Sequence, residues 1–453
     1  MDDSSGDASS PAAGSSHRYP DWVMLDRHTR LNYPRPTLNY AEEHFRATHA
    51  YAETSKGDPV RVSFRAVPPP GTSRVYVRWA RPPERGEEDR WDRSYGGEPM
   101  ILAAHGNSLL LQITTLENNR SDFFVYTVDP IGQPPSLQRL PRCDHEFTMG
   151  DHYRGLEHMF DLEGIGLLCD AATGEFAVAD LIVVGINGVQ GHDTPVEAGL
   201  CVYRSGRSED GWTATRPRIR HENGQGRDLI FWETDAVVSF GDSLCYVDYL
   251  RGVLFMDVLS ACPQLRYVRL PVNIPAGDSV DPETGLRGCP EASRSVCVTD
   301  GGATMKFVEV VSCTVFISGS HAPASSSFTI NMWKLNQDSM TWGKEASMED
   351  TELWSLQGYG GDLPRAAPEY PLVSMKEPEV VYFVLGARNW GADGDGTWVI
   401  VVDMLNKTLR SSSRYTSVYQ NCFESDGNMA SASLFTNLGF MACEFSKYLP
   451  TRA

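Results

Sequence analysis

The apolar positions along this chain come in short runs and not in helical stripes. From about residue 60 onward, segments rich in Val, Ile, Phe and Tyr recur: SRVYVRWA (73–80), MILAAHGNSLLLQITT (100–115), DFFVYTVDP (122–130), GIGLLCDAATGEFAVADLIVVG (164–185) and AGLCVYRS (198–205). They continue with AVVSFGDSLCYVDY (236–249), VLFMDVL (253–259), TMKFVEVVSCTVFI (304–317), SFTINMWKL (327–335), EVVYFVLGA (379–387) and TWVIVVDM (397–404). Gly, Asp, Asn and Pro bound these runs, and those residues end strands and open turns. The pattern predicts an all-β protein. The best helical candidate, 39–54, has Ala and Glu but little apolar stripe, so it reads as a short surface helix or a loop.

A weak repeat runs through the strands. Tyr203 and Trp212 flank one polar loop, Trp333 and Trp342 another, nine residues apart in both cases. Trp212 and Trp342 are 130 residues apart, and Arg139-Leu140-Pro141 recurs as Arg269-Leu270-Pro271 at the same spacing. A similar strand–turn–strand, VVDMLNKTLRSS, centres near 407. Units of about four strands, about six of them between 60 and 449, predict a β-propeller of irregular four-stranded blades with long loops. Paired sandwiches are the competing architecture.

One stretch sharpens the reading. CYVDYLRGVLFMDV (245–258) is two apolar runs around Asp248-Tyr249-Leu250-Arg251-Gly252. Strands covered on both faces can be continuously apolar. Gly252 is expected to supply the positive φ of a tight hairpin. Asp248 and Arg251 are expected at its rim, as a local ion pair of the turn.

Charge and composition narrow the function. The chain has 453 residues, 41% of them apolar, and 40 basic against 59 acidic residues give a net charge of −19. That balance opposes binding to nucleic-acid phosphates or anionic lipid. Arg216 to Arg220 alternates charge with Pro and Ile and reads as a strand edge, not a basic patch. No apolar run of about 18 residues occurs, so no membrane span is expected. The first 20 residues, MDDSSGDASSPAAGSSHRYP, have neither a basic nor an apolar region of a secretory signal. They read as a disordered tail, and 21–453 as one β-propeller-like domain. The ten cysteines (143, 169, 201, 245, 262, 289, 297, 313, 422 and 443) form no C-x-x-C pair and read as free, mostly buried thiols. A monomer in the cytoplasm or nucleus, neither secreted nor membrane-bound, is expected.

Several segments resemble a known family: CYVDYLRGVLFMDVL (245–259), LRYVRLPV (265–272), RGCPEASRSVCVTDGGATMKFVEV (287–310), MTWGKEASMEDTELWSLQGYGG (340–361) and APEYPLVS (367–374). The resemblance is to a plant family, expanded in grasses, catalogued as domain of unknown function DUF1618, with its best-defined block at about 246–374. The family has no agreed biochemical activity. Some members resemble F-box-associated propeller proteins, and some relatives carry an F-box in front. Residues 1–54 lack the Leu-rich helices an F-box would need. The resemblance supplies no catalytic residue.

No motif in the chain completes a chemical signature. Cys143, Asp144, His145, Glu146, Asp151, His152 and His158 form the richest set of metal-ligand types, but the second His of H-E-x-x-H would fall on Met149. Asp393-Gly394-Asp395-Gly396 lacks the remaining ligands of a calcium loop. The glycines of GINGVQG (185–191) have the wrong spacing for a phosphate loop. Gly241-Asp242-Ser243-Leu244-Cys245 lacks the last glycine of a nucleophile elbow. Glu291, Glu369, Asp235 and Asp248 are the carboxylates a propeller glycosidase would draw on, although prolines before Glu291 and Glu369 favour turns. Trp390 and Tyr359 are candidates for an exposed recognition surface. No catalytic, cofactor-binding or metal-binding residue is assigned. The sequence points to a non-catalytic scaffold for a protein partner, with a small or carbohydrate ligand in a central channel, or an enzyme acting on one, as the alternative.

Overall fold

The computed structural model describes residues 19–31, 48–79, 99–115, 120–128, 133–143, 163–170, 173–185, 196–206, 211–260, 262–275, 277, 287–316, 323–386, 397–415 and 440–449. Among them, 27 strands form six sheets. Blade 1 holds β1 (Val23–Asp26), β2 (Arg30–Leu31), β3 (Ala50–Glu53), β4 (Pro59–Arg65), β5 (Thr72–Trp79) and β27 (Phe440–Cys443). Blade 2 is β6 (Met100–His105), β7 (Ser108–Thr115), β8 (Arg120–Thr127) and β9 (Ser136–Arg139). Blade 3 is β10 (Ile165–Cys169), β11 (Phe176–Gly185), β12 (Val196–Arg204) and β13 (Trp212–Thr215).

Blade 4 adds an outer strand, β14 (Ile219–Arg220), to β15 (Ala236–Phe240), β16 (Ser243–Asp248), β17 (Gly252–Met256) and β18 (Leu265–Arg269). Blade 5 is β19 (Arg294–Thr299), β20 (Thr304–Phe316), β21 (Pro323–Asn336) and β22 (Thr341–Glu349), followed by one helical turn, α1 (Asp350–Ser355). Blade 6 is β23 (Glu369–Val373), β24 (Val380–Leu385), β25 (Trp398–Asp403) and β26 (Thr408–Arg414). Four blades have the expected four strands, while blades 1 and 4 have six and five.

The sheets close radially. The innermost strands β27, β6, β10, β15, β19 and β23 each neighbour the next, and β23 returns to β27. Closure joins the two ends of the chain: β27 pairs antiparallel with β1, Val23 opposite Cys443 and Asp26 opposite Phe440. A ladder between first and last strands leaves no open edge between the ends of the ring.

All six inner strands run the same way. The ends of β6 and β10 meet where the Cys169 amide donates to His105 Nδ1 (2.8 Å). Those of β19 and β23 meet where Thr299 Oγ1 donates to Ser374 O (2.7 Å). Just past β23, Lys376 pairs with Asp21, which sits beside the end of β27. The ring therefore has a face where inner strands start and a face where they end. Each outer strand ends, and the next inner strand begins, on the starting face.

The repeat read from the sequence marks the outer strands. Arg139 ends β9 and Arg269 ends β18, the fourth strands from the centre in blades 2 and 4. Trp212 opens β13 and Trp342 lies in β22, the outer strands of blades 3 and 5. The 407 turn joins β25 to β26 in blade 6. A spacing of 130 is therefore two blades.

Alternation explains why strands such as β16 are apolar throughout. Leu244 and Tyr246 pack toward blade 3, and Cys245 and Val247 toward blade 5. Period-2 alternation divides each strand between two interblade cores instead of core and solvent. Burying each Leu or Phe there contributes about 1.5–3 kcal/mol. Gly166 permits the close approach of blades 3 and 4: a Cβ there would come within 2.6 Å of Val237 Cγ1.

The candidate helix at 39–54 is corrected in part: Ala50–Glu53 is β3, paired with β4, and 39–47 lie outside the described residues. The Arg216 to Arg220 edge reading matches the fold, since Ile219 and Arg220 form the outermost strand of blade 4. No helix among the described residues is long and apolar enough to cross a membrane.

Candidate functional site

The hairpin at 245–258 builds its turn from the Asp248 to Arg251 segment. The Arg251 amide donates to Asp248 O (3.0 Å) and the Leu250 amide to Asp248 Oδ1 (2.9 Å), an Asx turn. The expected ion pair exists, with Arg251 Nε 3.3 Å from Asp248 Oδ2, but it is not at a rim: the two side chains are 1% and 0% exposed. Arg251 also donates to the carbonyls of Phe231 (2.8 Å), Pro275 (3.4 Å) and Gly277 (2.9 Å). Those bonds offset the cost of taking its charge out of water. The expected positive φ at Gly252 is also corrected: its backbone lies outside the left-handed region. Glycine is required there for space, because a Cβ would sit 2.6 Å from Val268 O and 2.4 Å from the Tyr267 ring.

Around this turn a network of charges ties blade 4 to the connection before blade 5. Arg287 Nη2 donates to Asp248 Oδ1 (2.6 Å) and Asp235 Oδ2 (3.0 Å), and its Nη1 to Glu233 Oε2 (3.2 Å). The Tyr249 amide donates to Asp235 Oδ2 (2.7 Å). Burial raises the pKa of Asp235 to about 8, against the pull of Arg287 and with the help of Asp248's charge. Burial raises Asp248 as well, opposed chiefly by Arg287. Arg294 completes the network by a two-nitrogen fork on Glu309 Oε1 (3.0 and 2.7 Å) and a bond to Tyr249 O (2.9 Å).

The inner strands enclose an open channel of about 980 Å³, lined from all six blades. Its walls mix apolar groups such as Leu102, Val237, Val296, Leu372 and Phe440 with Arg27, His105, Glu163, Asp170, Glu291 and Arg294. At the ending face, His105 and Cys169 are neighbours, but they do not form a nucleophile and base. His105 Nδ1 is occupied by the Cys169 amide, and Cys169 Sγ donates to His105 O (3.2 Å). Burial lowers the His105 pKa and pushes the Cys169 thiol up to about 11. At the starting face, Cys289 Sγ donates to Glu291 Oε2 (3.3 Å), and burial with Glu291's charge pushes that thiol up to about 12. Tyr370 also lines the channel. It sits in the irregular pairing between Glu369 and Leu372 with φ 52, a conformation uncommon for a bulky residue.

The four carboxylates singled out from the sequence do not converge. Glu291 reaches the channel, Asp235 and Asp248 are buried in the charge network, and Glu369 is buried at the start of β23. Gly241, with φ 55, turns β15 into β16, so Ser243 opens a hairpin strand and not an elbow. Tyr359 is half-buried and donates to Pro364 O (2.7 Å). Of the 143–158 set only Cys143 is described; it is buried, 3.5 Å from Cys201 Sγ. Asp393 to Gly396, Trp390 and residues 186–191 lie outside the described residues. Among the described residues no group of three His, Cys, Asp or Glu could hold a metal ion. Sequence reasoning missed Arg27, His105, Arg287 and Arg294; His105 falls in a strand segment, MILAAHGNSLLLQITT, and only Arg287 and Arg294 fall in a segment that carries the family resemblance, RGCPEASRS.

Six radial sheets around an open channel define a six-bladed β-propeller. Residues 246–382 match the family model described as protein of unknown function (DUF1618). The matched segment runs from β16 into β24 and carries Arg251, Arg287, Glu291, Arg294 and Tyr370. No curated protein matches the chain. Two solved structures are similar in outline. A chain from the crystal structure of the mitotic checkpoint complex is 8% identical with a TM-score of 0.27, covering 75% of this chain and 86% of its own. Zg3597, a family 117 glycoside hydrolase from the marine bacterium Zobellia galactanivorans, is 9% identical with a TM-score of 0.27, covering 89% and 99%. Superpositions this shallow say nothing of function here.

Proposed function

We propose that this propeller is a non-catalytic interaction scaffold whose starting face presents a protein-binding surface. The observation that carries the reading is the β20–β21 ribbon. Arg294, at the start of β19, is level with Glu309, yet β20 runs on to Phe316, about 20 Å further at the usual rise per residue. The ribbon thus projects beyond the blade on the face where the connections at 216–235 and 356–368 also open. Glu222, Phe231, Glu233, Asp362 and Arg365 are exposed in those connections. Supporting it, the acid, base and thiol groups described above are engaged in structural bonds, and function on such folds resides in their sites.

The test replaces residues 313–327 by an Asn-Gly turn, closing the ribbon at the Ser312–Phe328 pair. Affinity purification with the intact chain should recover one protein in stoichiometric amount. The shortened chain should lose it while keeping its thermal midpoint. Recovery of nothing above background by the intact chain, under several salt conditions, would overturn the reading.

A second reading, a small ligand in the channel, is favoured by a specific observation: the channel is open and not plugged by apolar side chains.

A further inference from the structure

Most charged groups that reach the channel have partners: Arg294 is held by Glu309, and Glu444 pairs with Lys447. Arg27 and Glu291 differ. Arg27 Nε is buried without a hydrogen-bond partner, and its guanidinium has no ion pair among the described residues. Glu291 accepts the Cys289 thiol and has no cation among the described residues. Both line the channel and both lie at its starting face. Arg27 follows Asp26, which is paired with Phe440 at the start of β27, and Glu291 precedes β19 in a single 3-10 turn. They come from blades 1 and 5, on either side of blade 6.

A buried guanidinium nitrogen without an acceptor calls for an explanation, and a planar fork of donors suits a carboxylate. A bare dianion is disfavoured, because the lining carboxylates Glu163, Asp170, Glu291 and Glu444 outnumber Arg27 and Arg294 in a chain already strongly acidic. A ligand that brings its own positive charge cancels that repulsion and gives Glu291 a partner. We propose that the starting end of the channel binds a small zwitterion bearing a carboxylate and an ammonium group, held by Arg27 and Glu291 respectively. Its apolar part would lie against Leu102, Val296 and Phe440. This deepens the second reading above and rests on it. Free α-amino acids and short peptides share the chemistry.

The test is isothermal titration of the full chain with the L-α-amino acids, with dipeptides, with their N-acetyl and C-amide derivatives, and with neutral saccharides. At least one zwitterion should bind. Binding by amino acids alone, or by dipeptides alone, identifies the source. Acetylation or amidation of that ligand should each weaken it roughly a hundredfold, as loss of one desolvated charge pair does. Arg27→Gln should reproduce the loss seen on amidation, Arg27→Lys should recover part of it, and Glu291→Gln should weaken the parent but not its N-acetyl derivative. If Arg27→Gln fails to fold, the derivatives and Arg27→Lys still decide. Equal binding of the derivatives, or an unweakened Arg27→Gln, overturns the proposal. Binding of a saccharide with no zwitterion overturns it while leaving the channel reading intact, and no binding by any probe removes both.

Discussion

Asp248 and Arg251, three residues apart in one turn, face each other at 3.3 Å with almost no exposure, inside the ring and not on its surface. The turn is held by what it buries. Arg251 reaches three carbonyls from two flanking segments, so it fixes those connections against blade 4.

Arg251→Ala is expected to cost about 3–5 kcal/mol, because it strips a buried carboxylate of a partner and leaves carbonyls unpaired. Asp248→Asn should cost less, since Arg251 keeps its carbonyls and Arg287 keeps Asp235. Urea unfolding of the two variants and their double mutant measures this. Strict additivity in the double mutant would show that the two side chains do not act as a pair.

Asp235 predicts a pH dependence. Its pKa is about 8 in the fold against an ordinary 3.8, chiefly through burial. Between those values the native state holds a proton that the unfolded chain has released, so its contribution is full below about pH 4 and is lost as pH rises toward 8. Asp235→Asn should remove this slope. Thermal midpoints of both proteins from pH 5 to 8.5 should show the wild type losing ground to the variant as pH rises; parallel profiles would refute the assignment.

Gly252→Ala is expected to destabilise by about 1–3 kcal/mol, the range for overpacking a filled core. The obstacle is a backbone carbonyl, Val268 O, which cannot swing aside as a side chain can. Gly174→Ala, where no atom lies within 4 Å of the added Cβ, provides the contrast: it meets a positive φ and no steric block. Chemical denaturation of both, with a crystal structure of Gly252→Ala, tests the cause. An unshifted β17–β18 pair with wild-type stability would exclude it.

Closure depends on the last strand. Phe445, fully buried just beyond β27, packs against Phe64 and Tyr126 with ring centroids 5.0 and 5.1 Å away. Phe445→Ala should cost about 3–5 kcal/mol. Removing residues 440–453 should expose β1 as an open edge and promote association, visible by light scattering. A truncated chain that stays monomeric with an unchanged midpoint would mean that β27 is not what closes the ring.

Much of this architecture was legible because local chemistry carries it. Short runs such as VLFM and WVIVVD, bounded by turn residues, read as strands covered on both faces. The Trp212–Trp342 and Arg139–Arg269 spacings recorded the blade period because equivalent outer strands need equivalent residues. Only tertiary structure could decide the rest. It turned Gly252 from a turn residue into a packing one, and moved Asp248 and Arg251 from rim to interior. It also brought Arg27, near the start of the chain, to the same end of the channel as Glu291. Periodicity reports which face a residue turns to its nearest neighbours along the strand. Burial of a charge, and the meeting of residues hundreds of positions apart, depend on how the blades close around the axis, and no local pattern encodes that.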